Sequence, residues 1–171
     1  MIPIHIHRLP DHDAVDAAQT PAELLSRLYA HRGLTDPAPA APGLDALAPM
    51  SALRGLDQAV TLLADQLRAG GHLLVIGDYD ADGATGSALA VRGLRALGAA
   101  RVSYLVPSRF AFGYGLSPAV VEAAMPMQPD LIITVDNGIA SLAGVARARE
   151  LGVPVLVTDH HLPGDRLPEA A

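Results

Sequence analysis

The sequence predicts an α/β domain with a doubly wound, mainly parallel sheet, preceded by a helical N-terminal segment. Three observations carry this. From residue 72 onward, short apolar runs recur without polar alternation (HLLVIG, ARVSYLVP, DLIITVDNG, VPVLVTDHH), as expected of strands buried on both faces. Stretches with helical character separate these runs, which makes βαβ units. Acidic residues gather where the strands end, the edge at which open α/β sheets bind ligands.

The elements follow in order. TPAELLSRLYAHRG reads as a helix, with Thr20 as N-cap, Pro21 at its first position and Gly33 just past its end. A loop rich in proline and alanine follows, punctuated by Pro37, Pro39, Pro42 and Pro49. LRGLDQAVTLLADQLRAGG then places Leu56, Ala59, Val60, Leu63 and Leu67 on one helical face and stops at a glycine pair. These pieces form a helical segment over 1–71. HLLVIG opens the second region, 72–171, and is followed by a helix over ATGSALAVRGLRALG. ARVSYLVP leads into a glycine-rich loop and a helix over PAVVEAAM. DLIITVDNG leads into a helix over SLAGVARARELG, and VPVLVTDHH is the last strand.

Composition narrows the function. Half of the 171 residues are hydrophobic, enough for a substantial core, and cysteine is absent, so disulfide scaffolds and thiolate chemistry are excluded. No apolar run approaches the length of a membrane span and the N-terminus lacks a signal-peptide layout, so a cytoplasmic protein without membrane contact is expected. The formal net charge is −6 and every base is arginine. A protein that grips phosphate backbones through its own surface carries the opposite balance. The deficit is even: five Arg against eight acids over 1–71, and seven against ten over 72–171.

Three strand ends carry the chemistry. The first runs into Asp78, Asp80 and Asp82, the third into Asp136 and Asn137, and the fourth into Asp159, His160 and His161. Carboxylates within about 4–6 Å of one another raise each other's pKa unless a cation neutralises them. Oxygen ligands with imidazole and no thiolate suit Mn²⁺ or Mg²⁺, and exclude zinc and iron less firmly. The Asp80-x-Asp82 spacing lets two carboxylates diverge toward adjacent ions, with Asp136 able to bridge them. Two ions about 3.5–4 Å apart activate water and stabilise a leaving oxygen in phosphoryl transfer. Against this stands the plain alternative that an aspartate after a parallel strand caps the next helix. Asp78 and Asp159 read as supports. Arg109, Tyr114 and Ser117 lie in the loop after the second strand and face the same edge, where Arg109 could hold a phosphate with its planar fork or simply form a salt bridge. His5, His7, His12, His31 and His72 read as structural or exposed. Haloacid-dehalogenase chemistry needs a downstream lysine, and the chain has none; no dinucleotide fingerprint, P-loop or nucleophile elbow is present.

GDYDADG, VDNG and TDHH, in this order on successive strand ends, resemble the DHH phosphoesterase family. The longer stretches VIGDYDADGATGSAL, YLVPSRF…GYGLSP, LIITVDNGIAS and VLVTDHHLPGD are similar to its members that degrade single-stranded DNA, from about Leu24 to the end of the chain. The resemblance implies a metal-dependent 5′→3′ exonuclease of DNA repair and recombination that releases 5′-mononucleotides. It implies two Mn²⁺ or Mg²⁺ ions on Asp80, Asp82, Asp136 and His160, with His161 as a further catalytic group. Asp78, Asn137 and Asp159 would support them, and Arg109, Tyr114 and Ser117 would meet the strand. Some family members carry a histidine where this chain has Ile76, so the first ion is expected to be weakly held. A further metal-binding aspartate, a glycine-rich basic domain and an oligonucleotide-binding domain come later in such proteins. The expectation is therefore an N-terminal piece, with a catalytic domain truncated at its C-terminal end, inactive alone, whose partners are DNA 5′ ends and repair or replication proteins. Two alternatives stay open: a family member acting on short oligonucleotides or pyrophosphate, and a non-catalytic scaffold in a replication complex.

Overall fold

The structure is a computed structural model that describes residues 20–31 and 47–171. His5, His7, His12, Gly33 and most of the proline- and alanine-rich loop lie outside the described residues. The chain forms two compact units, Met1–Pro49 and Met50–Ala171.

In the first unit, α1 spans Pro21–His31. Its start is a reciprocal capping box: the Glu23 amide donates to the Thr20 hydroxyl (3.2 Å) and the Thr20 amide to the Glu23 carboxylate (3.2 Å). Proline at the first helical position costs nothing there, because its missing N–H would have no intrahelical partner.

The second unit opens with α2 (Leu56–Ala69), which ends at Gly70 in the left-handed conformation (φ 70°). Then come β1 (His72–Gly77), α3 (Ala81–Ala96), β2 (Arg101–Leu105), a short α4 (Arg109–Phe112), α5 (Pro118–Ala124), β3 (Leu131–Val135), α6 (Leu142–Glu150) and β4 (Val155–Thr158). The four strands make one parallel sheet in the order β2-β1-β3-β4. The chain turns back across β1 on its way from β2 to β3, so the order reverses between β1 and β3. That reversal is the crevice where doubly wound sheets bind ligands.

Both faces are covered. Leu73 and Val75 of β1, with Leu131 and Ile133 of β3, pack against Val91 and Leu94 of α3 and Leu62, Leu63 and Leu67 of α2. Leu74, Ile76 and Ile132 point the other way, toward Val120 and Val121 of α5 and Val145 and Ala148 of α6. The central strands are therefore apolar except at His72 and Thr134, while β2, an edge strand, leaves Arg101 and Tyr104 exposed. The helix α2 packs on the sheet and belongs to the second unit. Leu62 takes the core position expected of Val60, which is 56% exposed.

His72 is structural, as its sequence context suggested. Its amide donates to Asp130 (2.7 Å), and its ring links the Gln128 carbonyl (3.2 Å) to the Ser103 hydroxyl (2.6 Å), joining the lower ends of three strands. A carbonyl can only accept, so Nδ1 carries a proton.

Close approach of α5 and α6 requires Gly144, where a Cβ would land on the carbonyl oxygen of Leu116. Gly144→Ala is expected to destabilise the unit by ~1–3 kcal/mol through overpacking. Gly93, within α3 and with open space around it, behaves oppositely: Gly93→Ala should stabilise by ~0.5–1 kcal/mol. Urea unfolding of the two variants checks both signs.

Candidate metal centre

The carboxyl edge of the sheet brings together the residues the sequence pointed to. Asp136 follows β3 directly and adopts a left-handed conformation (φ 62°), which aspartate tolerates better than most residues. Its amide still donates to Thr158 (3.0 Å), so the backbone leaves the sheet only after this last bond to β4. Asn137 is 2% exposed, and its Nδ2 donates to the carbonyls of Ile76 (3.1 Å) and Val135 (2.9 Å). One side-chain amide thereby clamps the ends of β1 and β3 at the crevice. Gly138 (φ 115°) lies where a Cβ would press on Thr134 and Val157.

Around this clamp sit two groups of donors that share Asp136. Ligand atoms of Asp78, Asp80 and Asp136 lie within 4.8 Å of one another, as do those of Asp136, His160 and His161. Asp136 is 7% exposed, and its Oδ1 accepts from His160 Nε2 at 2.9 Å. Asp82 stands beside the second group, with Oδ2 3.6 Å from His160 Nε2. Asp80 caps α3, accepting from the Gly83 amide at 3.3 Å, so the helix-cap reading and the cluster reading both hold for it.

Asp78, expected as a support, is nearly buried and receives the Arg109 guanidinium on both oxygens, from Nε (3.1 Å) and Nη2; Nη2 also reaches Asp80 (3.1 Å). Arg109 arrives there because the loop after β2 contains α4, a turn of helix the glycine-rich sequence did not announce. Tyr114 donates its hydroxyl to the Asp136 carbonyl (3.1 Å) and lies 3.1 Å from His161 Nδ1. This use of a tyrosine to brace the metal-facing loop has no sequence signal beyond its position. Asp159 accepts from the Ile139 amide (2.9 Å) and from His161 Nδ1 (2.7 Å). Ser117 caps α5, accepting from Val120 at 3.3 Å, and lines a cavity of about 490 Å³ that also touches Tyr114, Asp159 and His161.

The electrostatics follow from the crowding. Burial, and repulsion from Asp82 and Asp80, push the Asp136 carboxyl up against the pull of His160. Burial also acts to raise Asp80, but hydrogen bonds from Asp82 and Gly83 and the Arg109 charge bring it below the usual carboxylate range. Burial, aided by the charges of Asp159, Asp78 and Asp136, takes the Tyr114 hydroxyl up to about 12, so it remains a donor at all working pH values. The donor set is oxygen and imidazole nitrogen, with carboxylates in excess of cations, and it fits hard divalent ions of the Mn²⁺ or Mg²⁺ type. Asp78, Asp80, Asp136, His160 and His161 are the residues whose donor atoms lie close enough to hold them, with Asp82 beside His160.

The chain belongs to the DHH family: the model of the family's N-terminal domain matches residues 72–171. Its relatives are more particular. The single-stranded-DNA-specific exonuclease RecJ of Salmonella typhimurium is 52% identical over 161 residues, 92% of this chain and 28% of that protein. RecJ of Escherichia coli is 51% identical, across 91% of this chain and 27% of its own length. The chain thus spans little more than a quarter of these relatives. Among solved structures, exonuclease RecJ bound to manganese superposes with a TM-score of 0.65 at 44% identity, over 72% of this chain and 32% of that one. RecJ from Thermus thermophilus in complex with Mn²⁺ gives 0.61 at 42% identity, over 87% and 20%.

One pair sets a pH test. The hydrogen bond to Asp159 raises the His161 pKa above 6.5. Burial opposes ionisation of Asp159, but bonds from Ile139 and His161 outweigh it and lower its pKa below 3.8. A raised histidine contributes its full stabilisation below its unfolded pKa and loses it as pH rises through the folded value. The lowered aspartate contributes above its unfolded pKa and loses its part as pH falls through the folded one. With chelator present, the Tm gap between wild type and His161→Ala should therefore narrow as pH rises from 6.5 through the raised His161 value. Thermal scans across that window check it; a constant gap would rule the ionic pair out.

Proposed function

We propose that the chain supplies the metal-binding core of a 5′→3′ single-stranded-DNA exonuclease. The observation that carries the reading is Asp136, nearly buried at the strand crossover and common to two donor groups, a placement suited to joining two ions. Similarity to RecJ, and to RecJ structures bound to manganese, supports it.

In this reading Asp80, Asp82 and Asp136 hold the ions together with His160, and Asp78 and Asp159 fix the side chains around them. Two divalent ions in such a centre supply activation of water and neutralisation of the leaving oxygen. The protein's own groups do the positioning. Asn137 keeps β1 and β3 at a constant spacing, so Asp80 and Asp136 stay in register. Asp159 orients the His161 ring through Nδ1, which also lies 3.8 Å from Asp136. Tyr114 holds the loop of Arg109 to the Asp136 backbone, and Arg109 lies 5.4 Å from the Tyr114 ring. Ser117 contributes through the cavity that Tyr114 and His161 also line. The acidic balance of the chain leaves the gripping of the DNA backbone to other parts of a longer protein. DNA repair and recombination in the cytoplasm is the setting this activity suits; among the described residues, no helix is long and apolar enough to cross a membrane.

A graft tests the reading. Residues 72–171 replace the matching segment of the Escherichia coli relative, and 5′-labelled single-stranded and duplex oligonucleotides are digested with Mn²⁺. Single strands should be degraded from the 5′ end and duplex spared, and Asp136→Ala should lower the rate by roughly 100-fold or more, the scale of losing a few kcal/mol of transition-state charge stabilisation. A folded graft that binds Mn²⁺ and leaves single strands intact would refute the assignment.

A further inference from the structure

Arg109 occupies an unusual place. Asp78 is nearly buried, and both of its carboxylate oxygens receive Arg109. A buried carboxylate without a partner is costly, so this fork is the fixed half of the arrangement. The contact of Nη2 with Asp80 Oδ2 (3.1 Å) is the loose half, for Asp80 is 49% exposed in its side chain and already has the Gly83 amide on its other oxygen. Asp78 and Asp80 both belong to the donor group that includes Asp136. Apart from the histidines beside Asp136, Arg109 is the cation paired with this group among the described residues. An ion on Asp80 and the Arg109 guanidinium would seek the same oxygens, and like charges at that separation repel.

We propose that Arg109 is the internal counter-cation of the metal-free centre, and that it competes with the first divalent ion for Asp80. Loading the ion breaks the Nη2–Asp80 contact while the fork on Asp78 persists. One guanidinium N–H then turns free at the edge of the crevice, available to a phosphate oxygen. The ion thus adds one donor to those of Nη1, which neither carboxylate engages. A centre awaiting its ion is thereby kept from collapse or repulsion. This rests on the metal-centre reading above, but not on the nature of the substrate.

Two measurements without nucleic acid test it. In calorimetry with Mn²⁺ alone at low salt, Arg109→Gln should bind the ion roughly two- to fivefold more tightly than wild type, the scale of one half-exposed ion pair. With chelator its Tm should drop, and Mn²⁺ should recover more of that loss than it adds to wild type. Unchanged or weaker affinity in the variant overturns the competition. Should the variant fail to fold, ¹⁵N NMR of the arginine side chains of wild type decides: titration with Mg²⁺ should shift the Arg109 Nε–H and Nη–H signals, and signals unmoved at saturation overturn it. Absence of Mn²⁺ heat in wild type itself would sink the metal centre, a result distinct from heat that is present but insensitive to Arg109.

Discussion

Mutual repulsion among carboxylates at one edge of one sheet is the constraint on which the rest of this structure depends. Asp78, Asp80 and Asp136 converge there, with Asp82 alongside, and among the described residues Arg109 is the arginine that offsets them, with His160 and His161 beside Asp136. Such a cluster persists only on a frame stiff enough to resist it. Burial, with that repulsion added, pushes Asp136 up, while hydrogen bonds from Asp82 and Gly83, together with the Arg109 charge, bring Asp80 down against its burial.

The frame is stiff for plain reasons. β1 and β3 are buried on both faces between α2 and α3 on one side and α5 and α6 on the other. Neither strand can shift without opening a close-packed apolar layer. At the top, Asn137 ties the two strands through their terminal carbonyls; at the bottom, His72 ties β1 to β2 and to the turn before β3. Within this frame the loops need little ordering of their own. Asp136 is aimed by a single left-handed residue, Asp80 by a helix cap and His161 by Asp159. Precision comes from the sheet, and charge comes from the loops.

Much of this was legible in the chain. Apolar runs without alternation announced parallel strands, and of these β1 and β3 are central while β4 closes the other edge of the sheet. The same reasoning was weaker for β2, whose edge position exposes Tyr104, because the pattern ARVSYLVP does not say how many neighbours a strand has. Helical periodicity placed α2 but put Val60 where Leu62 packs, since several stripes of an alanine- and leucine-rich helix satisfy the same spacing. The change of texture at residue 72 marked where the sheet begins, and α2, just before it, packs on that sheet. Asp80 shows that cap and cluster were not rival readings, because the position that caps a helix after a parallel strand is also the position that faces the crevice.

The sequence by itself determined the fold class, the strand ends that matter and the type of ion their donors suit, because burial patterns, turn residues and ligand chemistry are local properties. Strand order was not local. Only the tertiary structure set β1 beside β3, and with that decided that Asp136 would be common to both donor groups. It also decided that Arg109, 31 residues from Asp78 in sequence, would lie on that carboxylate rather than wait in an open loop. Both depend on contacts between segments far apart in the chain, and no spacing along a single segment encodes which distant side chain arrives to meet a charge.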